Sequence, residues 1–338
     1  MLQKFFVGIV TLGTALFAQE PPATRMQIEQ ELQQAQRDFQ TAQQMFIPYY
    51  TGPLITGSAE NVPKGKINIQ PYLYGTINYA EFNNSRHSKG MSNIYVFNPV
   101  FVFQTGITEW LDFTIIPEAI CSWRKGQSSQ LFGDLPIQFG IQLRNMSENA
   151  PAIRFLVGEN FPSGKYNKLT PARADILTSG AGVYATTLGL NLSQLFWWQA
   201  LHPIRLRLAT LYTIPNHNAY VQGVNAYGGG QGTSGQVDVG QSFDADFGFE
   251  MSLTEKWVFA ADLAYSFQAK SKFSGKPGTV NGLPAPNGAP SSDNLSIAPA
   301  IEYNPNDTGG FIGGIWLPIT GRNSTNFISL VLSYTQLF

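Results

Sequence analysis

The sequence predicts an all-β chain, an antiparallel transmembrane β-barrel of about 12 strands preceded by one short helix. Three observations carry this: period-two stretches joined by alternately short and long connections, a terminal strand ending in an aromatic residue, and tryptophans gathered at strand ends. Composition agrees. Only 13% of residues are charged, against roughly 25% in ordinary soluble domains, and aromatics also reach 13%. The mean hydropathy of −0.09 is that of alternating apolar and polar positions.

At the N-terminus Lys4 precedes an apolar run, 5–17, that closes on Ala18 and is followed by Gln19 and Glu20. This reads as a secretory signal peptide over 1–18, being shorter than the roughly 20 apolar residues that a membrane-spanning helix needs. No later segment is apolar enough to span a membrane as a helix.

Residues 19–65 are expected to form a periplasmic helix and a linker. Between 24 and 46, Ile28, Leu32, Ala35, Phe39, Ala42 and Phe46 recur at alternating steps of four and three, the stripe of an amphipathic helix that Pro48 ends. Such a helix packs at the barrel mouth, plugs the lumen or trimerises as a coil.

Residues 66–338 supply the barrel. Strands are expected near 66–80, 92–106, 111–123, 134–145, 152–160, 175–190, 203–214, 243–253, 257–268, 294–303, 310–320 and 326–338. Short turns fall at 108–110, 146–151, 195–202, 254–256 and 304–308, with long loops at 81–91, 124–133, 161–174, 215–242 and 269–293. The Gly, Asn, Ser and Pro content of 222–240 and 270–290 predicts solvated or mobile loops facing outside.

The last strand sets Ile328, Leu330, Leu332 and Tyr334 against Ser329, Ser333 and Thr335 and ends in Phe338, a signal that the barrel assembly machinery would read. Trp110, Trp197, Trp198 and Trp257 lie in or beside short turns and Trp123 near an outer strand end, as an interfacial girdle requires.

If the apolar parity faces lipid, counting in twos turns Arg144, Arg154, Arg205 and Arg207 into the lumen on strands four, five and seven. The same count turns Asp244, Asp246, Glu250 and Asp262 inward on strands eight and nine, with Asp112, Glu118 and Glu302 also inward. These groups are the candidate lumen lining. A basic wall would face an acidic wall across a pore, setting a transverse field for small polar solutes; alternatively the groups pair inside a closed barrel.

Catalysis finds little support. His87, His202 and His217 are scattered, with no nucleophile and orienting group at a recognisable spacing, and no His or Cys cluster has metal-ligand spacing. Cys121 is the single cysteine, so no intramolecular disulfide forms. The net charge of −1 gives no reason to expect nucleic acid. No cofactor is expected.

The stretches Gly106-Ile107-Thr108-Glu109-Trp110-Leu111-Asp112, Leu253-Thr254-Glu255-Lys256-Trp257, Gly133-Asp134-Leu135 and Pro162-Ser163-Gly164-Lys165-Tyr166 with Asp175 resemble those of outer-membrane barrels grouped as phenol meta-pathway or solute transporters. The resemblance spans most of the chain after residue 66 and implies passive uptake of small molecules across the outer membrane, with no ligand residue carried over. The expected partners are outer-membrane lipid and small solutes; whether copies assemble into a homo-oligomer is left open. A closed barrel used as a surface structural or adhesive protein is the alternative, and an outer-membrane lipid hydrolase the third.

Overall fold

The computed structural model describes residues 24–44, 50–147, 149–199 and 202–338. The expected signal peptide lies outside them. The chain divides into two units, 1–46 and 47–338.

In the first unit, helix α1 (Arg25–Gln44) is started by a reciprocal cap. The Gln27 N–H donates to Thr24 Oγ1 at 3.3 Å, and the Thr24 N–H to Gln27 Oε1 at 2.7 Å. Ile28 and Leu32 of its apolar stripe are exposed.

The second unit is the barrel, and it closes as an antiparallel ring of 12 strands among the described residues. In chain order these are β1 (Ile67–Phe82), β2 (Ser88–Gly106), a third strand made of β3 (Leu111–Ile115) and β4 (Ala119–Arg124), and a fourth made of β5 (Gln127–Phe132) and β6 (Leu135–Arg144). There follow β7 (Ala152–Phe161), β8 (Ala185–Gln199), β9 (His202–Pro215), β12 (Ser242–Ser252), β13 (Trp257–Gln268), β17 (Ser292–Tyr303), β18 (Gly309–Arg322) and β19 (Ser324–Leu337). Closure is made by β19 on β1, from Asn68 opposite Leu337 to Phe82 opposite Ser324.

Alternation is clean where the wall is regular. Along β19, Ile328, Leu330 and Leu332 are exposed while Ser329, Val331, Ser333 and Thr335 are buried. The exposed set recurs around the ring, in Phe101, Phe139, Leu190, Phe247, Leu263 and Ile315 among others, and forms the belt that meets lipid. Trp110 sits exposed in the short turn between β2 and β3, and Trp257 is exposed at the first residue of β13, as expected of a girdle. Trp197 and Trp198 differ, because β8 runs on to Gln199 and takes them into a strand.

Three expectations are corrected. The strand expected over 111–123 is broken at 116–118, since Pro117 has no N–H to give the ladder; its carbonyl instead accepts from Phe101 N at 3.0 Å. The loop expected over 124–133 is a tight hairpin, β4 and β5 turning through Lys125 and Gly126, both at positive φ. The strand expected from 175 begins only at Ala185 and is preceded by a short helix, α2 (Ala174–Leu177).

The outer loops are also more ordered than their composition suggests. β10 (Ala219–Gln222), β11 (Ser234–Asp238) and β14 (Lys272–Lys276) form a separate antiparallel sheet, and β15 (Thr279–Val280) pairs with β16 (Leu283–Pro284). Val183, Ala219, Val221 and Val237 are buried beneath the three-stranded sheet with Tyr166, Tyr227 and Phe273 packed against them. Burial holds the Tyr227 phenol well above its usual range while its hydroxyl donates to the Ala181 carbonyl at 2.6 Å.

Candidate functional site in the barrel lumen

Inside the short-turn half of the barrel runs a segment that the sequence predicts to be linker. Residues 50–63 pass from strand to strand around the inner wall and make up a plug. At its start the Tyr50 hydroxyl shares a hydrogen bond with Ser252 Oγ at 2.8 Å, and the Thr51 N–H donates to Glu302 Oε2 at 2.9 Å. Leu54 is buried among Ala260, Ala298, Ala300, Ile312 and Val331.

Asp262 holds the middle of the plug. Its carboxylate accepts from Thr56 N at 2.9 Å, Thr56 Oγ1 at 2.6 Å and Ile55 N at 3.2 Å. On the far side the Asn61 N–H donates to Gln142 Oε1 at 2.7 Å, and the Val62 N–H to Asp112 Oδ2 at 3.1 Å. Most of these bonds take an otherwise orphaned backbone donor of an irregular segment to a strand side chain, which is what a buried loop must do.

Small residues on the inward parity make the room. A Cβ on Gly248 would lie 2.7 Å from Pro53 Cγ, and one on Gly314 would lie 2.8 Å from Leu54 Cδ1. A larger side chain at Gly248 would push against the plug, and one at Gly314 would first meet the Pro299 carbonyl of the neighbouring strand.

The predicted lumen residues divide into two groups. Arg154, Arg205 and Arg207 are buried inside, and each guanidinium is tied to a carboxylate. Arg207 meets Glu250 through two bonds, Nε to Oε2 at 2.6 Å and Nη2 to Oε1 at 3.1 Å, from the adjacent strand. Arg154 Nη2 reaches Asp112 Oδ1 at 2.7 Å and its Nε reaches Asn61 Oδ1 of the plug at 2.7 Å. Arg205 Nη2 donates to Glu60 Oε2 of the plug at 2.8 Å, and the guanidinium carbon lies 5.6 Å from the Tyr50 ring centroid.

The expected field of a basic wall across from an acidic wall is therefore corrected. Counting in twos assigns a side chain to a face but names no partner. The cations are neutralised by neighbouring strands and by the plug, at hydrogen-bond distance rather than across an open pore. Arg144 stands outside this network: β6 bulges between Gln142 and Arg144, and Arg144 is exposed with its Nε donating to the Pro151 carbonyl at 2.8 Å. Asp244 and Asp246 lie nearer the outer end, half-buried and in no ion pair among the described residues.

The Arg154–Asp112 pair spans the strand between its partners by passing over Gly140, where a Cβ would collide with both the guanidinium and the carboxylate. Gly140→Ala is therefore expected to break the pair and to lower stability by about 1–3 kcal/mol, read from urea unfolding in detergent. An unchanged unfolding midpoint would show that the pair can be rerouted at no cost.

Among the described residues, two spaces in the lumen bear on function. One of about 430 Å³ is bordered by the plug, Arg205, Arg207, Asn68, Gln70 and Gln104; another of about 360 Å³ takes none of its wall from the plug.

This architecture is similar to that of an outer-membrane channel. The COG4313 outer membrane channel from Pseudomonas putida F1 superposes with a TM-score of 0.63 at 13% identity, covering 83% of this chain and 98% of that one. Looser likenesses are the β domain of the Bordetella autotransporter BrkA, with a TM-score of 0.45, 8% identity and 81% and 100% of the two chains, and the CymD monoaromatic hydrocarbon channel, with 0.38, 8%, 81% and 89%. No protein-family model matches the chain, and no curated protein matches its sequence. A closed barrel with a lipid-facing belt of this kind belongs to the cell outer membrane.

The histidines remain apart. His202 Nδ1 lies 2.8 Å from the Ser252 carbonyl, His217 Nδ1 lies 3.0 Å from the Asn218 carbonyl, and His87 occupies the β1–β2 turn. Among the described residues no group of three His, Cys, Asp or Glu side chains is placed to hold a metal ion.

Proposed function

We propose that this chain is an outer-membrane channel through which small solutes diffuse passively, and that the plug sets how readily they pass. The observation that carries the reading is the plug itself, a segment inside a closed barrel held by hydrogen bonds to Asp262, Glu302, Gln142 and Asp112. A bond to a neutral side chain such as Gln142 contributes on the order of 1 kcal/mol net, and one to an ionised carboxylate about 1.5–3 kcal/mol. Leu54, with Tyr50, Ala59 and Val62, supplies the plug's buried apolar contacts, and the segment adds no strand to the ring.

The motifs at 106–112, 253–257 and 133–135 support a place among the phenol meta-pathway or solute transporters, whose members take up small molecules. Phe338, exposed and hydrogen-bonded through its N–H to the Ile67 carbonyl at 2.8 Å, supports recognition of the closing strand by the barrel assembly machinery.

Asp262→Ala tests the reading. It removes three bonds to the plug and should speed the swelling of proteoliposomes in a small sugar several-fold, with the heat-modifiable mobility of the folded barrel retained. Equal swelling rates, with protease sensitivity at 50–63 showing that the plug had come free, would sink the proposal.

A further inference from the structure

The 360 Å³ space is built unlike the one bordered by the plug. Tyr74 and Trp316 form an aromatic wall, their rings edge to face with centroids 6.4 Å apart, and Trp316 Nε1 donates to Ser296 Oγ at 2.9 Å, which fixes the indole. Val96 and Val100 line the same space from β2.

One charged group joins them. Glu118 stands where Pro117 breaks the third strand, and its Oε2 accepts from Asn98 Nδ2 at 3.1 Å. Asn98 is itself pinned by donating to the Ala119 carbonyl at 2.8 Å. Unlike Glu250, Glu60 and Asp112, Glu118 makes no ion pair among the described residues. A half-buried carboxylate beside two aromatic rings, with no cation of its own, offers an ammonium group both a charge partner and a π-face.

From this geometry we infer that the cavity is a binding site for small organic ammonium ions carrying an apolar or aromatic body, seated between Tyr74 and Trp316 with the charge at Glu118. A neutral body of the same shape gains only the apolar contact, and a carboxylate is repelled. The inference deepens the channel reading by naming a solute class, and it rests on that reading for the solute's way in.

Binding is measured on the full chain in detergent micelles by equilibrium dialysis, with 2-phenylethylammonium, 2-phenylethanol and phenylacetate as probes. The cation is expected to bind about tenfold or more tightly than the alcohol, with phenylacetate weakest. Glu118→Gln, which keeps size and the bond from Asn98, should abolish the cation's advantage and leave the alcohol unchanged. Equal affinity for cation and alcohol on the unaltered protein would overturn the site, and this comparison needs no variant to fold. A cation advantage that survives in a folded Glu118→Gln protein would also overturn it. Selective binding without any solute flux through proteoliposomes would leave the site standing and count against the channel reading alone.

Discussion

Arg207→Ala is expected to lower the stability of the barrel by about 3–5 kcal/mol, the cost typical of removing one member of a buried ion pair. The side chains of Arg207 and Glu250 are 4% and 0% exposed and share two hydrogen bonds, so Glu250 would be stranded without a cation. Glu302 is close enough to interact with both, is fully buried, and has one carboxylate oxygen with no hydrogen-bond partner. Removing the guanidinium thus leaves two buried carboxylates facing each other. The check is the urea midpoint of the folded barrel in detergent. Replacing the pair together, as Arg207→Met with Glu250→Leu, should recover most of the loss, because the penalty comes from the unpaired charge.

The second large effect is on permeability. Deleting 50–63 removes the segment that Asp262, Glu302, Gln142 and Asp112 hold in the lumen, and the wall that remains is a closed ring of paired strands. Arg154 keeps Asp112 and Arg207 keeps Glu250, while Arg205 loses Glu60 but keeps the bond from its Nε to Ser193 Oγ. The barrel should therefore still fold, and ion flow should rise by an order of magnitude or more. Heat-modifiable mobility on gels checks the first statement.

The wall was legible because its pattern is local. Period two along each strand, the turns at 108–110 and 254–256, and the sheet's need to close specify the ring without reference to any distant residue. The interior is not local in this sense. The plug at 50–63 has neither period two nor period 3.6, since its donors go to side chains on strands far away in sequence, and a segment rich in Gly and Pro then reads as a linker.

A signal did exist on the strands. Gly248, Ala260, Ala298, Ala300, Gly310 and Gly314 share the inward parity, and a run of small residues facing a lumen means that something else fills it. Parity also placed Arg207 inward without revealing its partner. By register Glu250 lies opposite Arg205, yet it pairs diagonally with Arg207, and Arg205 turns instead to Glu60. The bulge that removes Arg144 from the lumen is equally silent, because counting in twos assumes that no residue is inserted. The outer sheet of β10, β11 and β14 was hidden by short strands whose few valines are outnumbered by turn residues.

Single-channel conductance in a planar bilayer, compared among the full chain, a form lacking 24–44 and a form lacking 50–63, tests the central claim that the plug limits the pore. The full chain and the helix deletion should conduct alike and weakly, and the plug deletion should open a large and steady conductance. A rise on removing 24–44 alone, or none on removing 50–63, would contradict it.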